Sequence, residues 1–182
     1  MSELKEYLVS INDHVYDNKP AAVAAIGCEL EDAGYMIVDL ADQKPWGAYF
    51  RIDGSQAETF IADFFPSLSV SEARLGIRDA ELSPKVLLVE PRQRLSWQYH
   101  DRRAERWMFL TTGAYVKSQT DEQTSVQTAQ PGEVVQFQKG ERHRLVGAED
   151  GYTVVAEIWQ HADRDNPSNE DDIVRVADDY QR

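Results

Sequence analysis

The periodicity of the chain changes at Tyr35, and that change restricts the fold more than any other feature. From there to Trp159 the sequence is a succession of short runs rich in Val, Ile, Tyr, Phe and Trp: YMIVDL, AYFRID, KVLLVE, LSWQYH, RWMFLTT, AYVKSQ, TSVQTA, EVVQFQ, HRLVGA and YTVVAEIW. β-Branched and aromatic side chains fit a pleated, half-buried surface. Turn dipeptides separate several runs, at Asp53-Gly54, Pro131-Gly132, Lys139-Gly140 and Asp150-Gly151,. Many short strands at such spacing predict an all-β sandwich or barrel. No helical pattern alternates with strands after residue 82, which argues against a parallel α/β sheet.

Helices are predicted at two places. Leu4, Leu8, Ile11 and Val15 recur at helical spacing, and a second helix is bounded by Pro20 in its first turn and Gly34 past its end,. Residues 1–34 therefore read as a helical extension of a domain spanning 35–182. Within that domain, Ser55 and Glu58 have capping-box spacing,. Phe60, Ile61, Phe64 and Phe65 then form an apolar face that Pro66 stops. The spacing predicts a helix over 55–65, inside an insertion at 54–82 whose expected role is core packing. Trp46, Trp97, Trp107 and Trp159 are expected to fill the core, and His14 and His161 to face solvent.

Charge narrows the partners. The net charge of the 182 residues is -13, which argues against nucleic acid as a ligand. Yet the stretch Lys85–Arg144 holds ten Lys and Arg against seven Asp and Glu, so it is locally basic within an acidic protein. That distribution suits a small anionic ligand. Cys28 is the single cysteine, so neither an internal disulfide nor a cysteine-rich zinc site is available,. No apolar run is long enough for a bilayer and Met1–Tyr16 lacks signal-peptide character. No membrane association and a cytoplasmic location are expected.

One constellation carries chemistry. Gln98 and His100 are two residues apart on a predicted strand, so their side chains share a face. Glu105 opens the next strand after a short connection, and PGEVVQFQKGERHRL returns the chain to the same wall at His143. Gln98, His100, Glu105 and His143 thus form a mixed N and O ligand set for a divalent ion, zinc first, with manganese, iron, cobalt or nickel also suited.

The order Q-x-H-x4-E, followed by glycines and a second His, resembles the two motifs of the cupin superfamily. More specifically, KPWGAY at 44–49, PKVLLVEPRQRLSWQYHDRRAERW at 84–107, FQKGERHRL at 137–145, AEIWQ at 156–160 and EDDIVRVADDYQR at 170–182 are similar, in order, to strings of the C-terminal isomerase domain of type II phosphomannose isomerases. The resemblance implies an all-β core, a double-stranded β-helix or jelly-roll barrel. It implies metal-dependent aldose–ketose isomerisation of a sugar phosphate, with Lys85 and Arg144 as catalytic candidates and Arg103 and Arg175 as substrate-binding ones. It also implies a homodimer. The chain departs from the family pattern at Gln93, Asp101, Arg102, Arg106, Gln138 and Gln181, with Arg102 and Arg106 standing where the family has histidines. New cations near a metal disfavour its binding, so a non-catalytic cupin that binds or senses a sugar phosphate is the first alternative. A metal-dependent cupin oxygenase is the second.

Overall fold

The computed structural model describes residues 2–180, so Gln181 lies outside the described residues. The chain opens with helix α1 (Glu3–Val9), a 3-10 turn at Ile11–Asp13 and helix α2 (Lys19–Asp32). Strands β1 (Ile37–Lys44) and β2 (Gly47–Ile52) follow, then a 3-10 turn and two short helices, α3 (Ala57–Phe64) and α4 (Val70–Ala73). The remaining strands are β3 (Lys85–Val89), β4 (Trp97–Tyr99), β5 (Arg103–Phe109), β6 (Gly113–Ser118), β7 (Gln127–Ala129), β8 (Val134–Phe137), β9 (Arg142–Val146), β10 (Thr153–His161) and β11 (Val174–Ala177). No helix among the described residues is long and apolar enough to cross a membrane.

The strands form two antiparallel sheets, a six-stranded one in the order β1-β2-β3-β10-β5-β8 and a five-stranded one in the order β11-β4-β9-β6-β7. Neighbours in sequence are repeatedly split between the sheets, as in a jelly roll. Strand alternation assigns each sheet two faces. In β10, Val154, Ala156 and Ile158 join Val86, Leu88 and Met108 in an outer core beneath α1, α2, α3 and α4. Val155 joins Leu87, Trp107, Phe109, Tyr115, Phe137 and Leu145 in an inner core between the sheets. Every residue of β10 is buried because helices cover one side and the second sheet covers the other,.

Several sequence expectations need adjustment. The first helical stretch breaks after Val9, and Val15 is 96% exposed. His14 is exposed as expected, but it follows a 3-10 turn instead of lying in a helix. The side chain of Asn18 caps α2 by accepting from the Ala21 amide,. The Ser55 capping box does not form: Ser55 donates its hydroxyl to Asp53, and α3 begins at Ala57 without a side-chain cap. Its apolar face is nonetheless packed, with Phe60 and Phe64 fully buried in the outer core. All four tryptophans are buried. His161 is not solvent-exposed. It ends β10, is 4% exposed, accepts the Ser168 amide at Nδ1 and donates from Nε2 to the Glu81 carbonyl. Strand β11 was unmarked in the sequence, because VRVA lies in a strongly acidic stretch.

Candidate functional site

Three chain segments bring potential ligands together on the inner side of the barrel. Gln98 on β4 pairs across to His143 on β9, and His100 follows one residue past the end of β4. Glu105 sits in the inward register of β5, opposite Trp159 on β10 and Phe137 on β8. Ligand atoms of His100, Glu105 and His143 all lie within 4.8 Å of one another, and all three residues are buried. The His143 ring is wedged against Phe137, with centroids 4.6 Å apart.

Hydrogen bonding fixes which atoms face the centre. His100 donates from Nδ1 to the Asp172 carbonyl at 2.5 Å, and His143 donates from Nδ1 to the Glu141 carbonyl at 2.9 Å. Carbonyl oxygens only accept, so each Nδ1 holds the proton and each Nε2 of a neutral ring presents a lone pair. Those two Nε2 atoms lie 3.0 and 3.3 Å from the Glu105 carboxylate, itself only an acceptor. His100 Nε2, His143 Nε2 and Glu105 Oε2 are accordingly buried without a hydrogen-bond partner. Acceptors facing acceptors in a buried site call for a cation between them. Burial holds the His100 imidazole below its ordinary pKa, against the pull of Glu105, which disfavours a second ring proton as that cation. Burial alone would raise the Glu105 carboxyl, but His100 and Arg103 beside it hold it well below the usual range. The three residues thus form a group fitted to hold a metal ion. Gln98 lies on the wall beside them, its amide oxygen accepting from Ser96 Oγ at 2.6 Å.

Through Glu105 the triad meets a cavity of about 340 Å³, lined also by Gln98, Lys85, Glu157, Arg103, Glu170, Lys44 and Arg175. Lys85 Nζ stands 3.1 Å from Glu170, 3.7 Å from Glu157 and 4.7 Å above the Trp159 ring. Arg103 also lies over the Trp159 ring, with its guanidinium 4.0 Å from the ring centroid. Its Nε donates to Glu105 and its Nη1 to Ser168 and the Asn169 carbonyl. Arg175 reaches the cavity from β11, where it pairs across from Gln98.

Three arginines singled out from the sequence lie elsewhere. Arg144 is on the opposite face of β9 from His143 and does not line the cavity. It donates to the Leu95 carbonyl at 2.9 Å and pairs with Asp179 at 3.3 Å, which ties the C-terminal segment to the barrel. Arg102 turns outward to Asn166, Asn169 and the Pro167 carbonyl. Arg106 occupies the outward register of β5, with Nε donating to Gln160 at 2.7 Å. Neither of the two arginines that replace family histidines therefore places its charge beside the triad.

Two site residues were not identified from the sequence. Asp172 orients His100 through its carbonyl, while its carboxylate accepts from the amides of Asp101 and Arg102 and from Ser168 Oγ. No local pattern distinguishes it within NEDDIV. Glu157 does have a signal: it is a charged residue in the inward register of an otherwise apolar strand. Its carboxyl is pushed up to about 7, by burial first and then by the charge of Glu105, with Lys85 and Arg103 opposing. The folded chain then holds an extra proton between about pH 4.5, the ordinary carboxylate value, and about pH 7, so this group makes stability fall as pH rises across that window,. Urea unfolding of chelator-treated protein is expected to show the stability of Glu157→Gln rising relative to the unaltered chain from pH 4.5 to 7. A constant difference would mean that Glu157 is ionised throughout.

Comparison with known proteins agrees with this geometry. Residues 78–178 match the family described as Mannose-6-phosphate isomerase C-terminal. No curated protein matches the sequence. Among solved structures, the capsular polysaccharide assembling protein CapF from Staphylococcus aureus superimposes with a TM-score of 0.50 at 12% identity, over 76% of this chain and 34% of that one. An oxalate decarboxylase gives a TM-score of 0.50 at 12% identity, over 79% of this chain and 30% of its own. The chain thus spans about a third of the length of these proteins, and the likeness concerns the fold alone, the double-stranded β-helix of cupins.

Proposed function

This chain belongs to the mannose-6-phosphate isomerase C-terminal family, and we propose that it interconverts an aldose phosphate and its ketose counterpart with the help of a divalent ion. The observation that carries this reading is the set of buried, mutually facing electron-pair donors of His100, Glu105 and His143 at the edge of a sugar-sized cavity. Those residues would hold the ion, with Gln98 beside them. Two imidazoles and oxygen donors suit zinc, and also manganese, iron, cobalt or nickel. When bound, such an ion supplies Lewis acidity toward a carbonyl or hydroxyl oxygen.

The chain's own residues supply binding and orientation. Among the described cations that line the cavity, Lys44 and Arg175 enter no ion pair, whereas Arg51, Lys85 and Arg103 are engaged with carboxylates. Arg175 and Lys44 are thus available to hold the phosphate of a small anionic sugar. Lys85, kept in place by Glu157 and Glu170, sets a positive charge where sugar oxygens become negative as an enediol forms,. Arg103 holds the Glu105 carboxylate in its ligating orientation. Arg144 acts at a distance, as a positioning residue for the segment that carries Asp172 and Arg175.

The test is turnover of mannose 6-phosphate to fructose 6-phosphate by metal-loaded protein. Interconversion supports the reading. Tight sugar-phosphate binding without turnover would identify a binding module instead, and consumption of oxygen would identify an oxygenase. Replacing Arg175 by Ala is expected to raise KM about tenfold to a hundredfold with kcat little changed, as for loss of a charge-assisted hydrogen bond of about 1.5–3 kcal/mol. A KM equal to that of the unaltered chain would remove Arg175 from the phosphate site.

A further inference from the structure

Aldose–ketose exchange needs a base that reaches carbon, and the cavity offers four carboxylates: Asp39, Glu105, Glu157 and Glu170. Three of them are committed. Asp39 is 44% exposed at the rim and accepts from Tyr49 Oη at 2.8 Å. Glu105 faces the two imidazoles and Arg103. Glu170, 45% exposed, accepts from Ser83 and Lys85. Glu157 differs from all three. Its side chain is 10% exposed and rises from the middle of β10, which the sheet register clamps between Lys85 on β3 and Trp107 on β5. Trp107 Nε1 donates to its Oε2 at 3.0 Å and fixes the carboxyl plane. Its Oε1 accepts no hydrogen bond among the described residues, and the nearest cation, Lys85 Nζ, stands at 3.7 Å, beyond hydrogen-bond reach. One oxygen is therefore anchored, and the other keeps an uncommitted lone pair in the cavity wall.

We propose, on the premise of the isomerase reading, that Glu157 is the catalytic base that carries the proton between the first and second sugar carbons. Glu157 Oε1 takes the proton from C2 of the open-chain aldose. The C–H electron pair becomes the C1–C2 double bond of the enediol, and the aldehyde oxygen gains a proton. The carboxylic acid then returns its proton to C1 as the C2 hydroxyl loses its own, which leaves the ketose. Glu157 returns to C1 one proton for the one taken from C2, after its acid proton has partly exchanged with water, the hydroxyl proton lost at O2 balances the one gained at O1, and no oxidant or reductant is consumed. Lys85, held against the same carboxyl, lies where charge builds on O1 and O2.

The experiment compares metal-loaded protein with Glu157→Gln and Glu157→Asp, following kcat, KM, metal content and release of the C2 hydrogen of deuterated mannose 6-phosphate into water. The Gln variant keeps an oxygen for Trp107 and loses the base. Its kcat is expected to fall by about a hundredfold to ten-thousandfold, the usual range for a general base. KM should stay within a fewfold, metal content should be unchanged, and hydrogen release should fall in parallel with kcat. The Asp variant, with its carboxyl withdrawn by one methylene, is expected to lie between the two, and it decides the matter if the Gln variant does not fold. Turnover by either variant equal to that of the unaltered protein would overturn the assignment and leave the isomerase reading standing. Loss of metal from a folded Gln variant would overturn it in favour of a structural role. Metal-loaded unaltered protein that turns over neither mannose 6-phosphate nor fructose 6-phosphate would overturn both.

Discussion

Protein carrying His143→Ala is expected to be purified without metal, whereas the unaltered chain is expected to retain a divalent ion, and under the proposed isomerase function sugar-phosphate turnover should fall about a thousandfold or more. The magnitude follows from losing several kcal/mol of charge stabilisation in the transition state. The residue is the cleanest of the three to remove. Its Nε2 lies 3.3 Å from Glu105, its Nδ1 is spent on the Glu141 carbonyl, and its ring stacks on Phe137. His100→Ala would also release the Asp172 carbonyl and the segment behind it. Elemental analysis of both proteins, purified without added metal, gives the answer directly. Equal metal content in the two would place the ion elsewhere, and the acceptor–acceptor contacts of the triad would then need protons to explain them.

The largest effect on stability is expected at Gly47, far from the ligands in sequence. Gly47 opens β2 with φ of +149°, a backbone conformation open to glycine and strained for other residues,. A Cβ at this position would lie 1.9 Å from the Leu88 carbonyl oxygen and 3.1 Å from Val89 Cα. Both obstacles are main-chain atoms of the neighbouring strand, so no side-chain rotation relieves them. Gly47→Ala is expected to cost about 4 kcal/mol or more and to lower the melting temperature by about 10 °C for a chain of this size. Thermal unfolding followed by circular dichroism measures it. A shift of under about 2 °C, corresponding to about 1 kcal/mol or less, would show that β2 and β3 can separate at that point.

These two residues also show how far the sequence could be read. Gln98, His100 and Glu105 were visible because two local rules sufficed. Strand alternation put Gln98 and His100 on one face, and a short connection returned Glu105 to it. His143 needed the second glycine-bounded strand and the family resemblance, since nothing local states which wall β9 joins. The limits had the same origin. Arg144 follows His143 directly and therefore points the other way, which the alternation rule already contains. Arg102 lies beyond β4, where alternation no longer applies, and loop contacts with Asn166 and Asn169 set its direction. Asp172 and β11 became legible only in three dimensions, because their partners are about seventy residues away in sequence. The N-terminal helices were read correctly where apolar spacing and tertiary burial agree, at Leu4, Leu8, Val23, Ile26 and Leu30. They were misread at Val15, where spacing alone had counted a residue that the fold leaves outside.

The alternation of β10 separates two kinds of selective pressure within nine residues. Val154, Ala156 and Ile158 answer to the helices, while Glu157 and Trp159 answer to the chamber on the other side. Adaptation to heat or cold can therefore work on every second letter of this strand while the letters between remain free to follow the chemistry of whatever ligand the chamber receives.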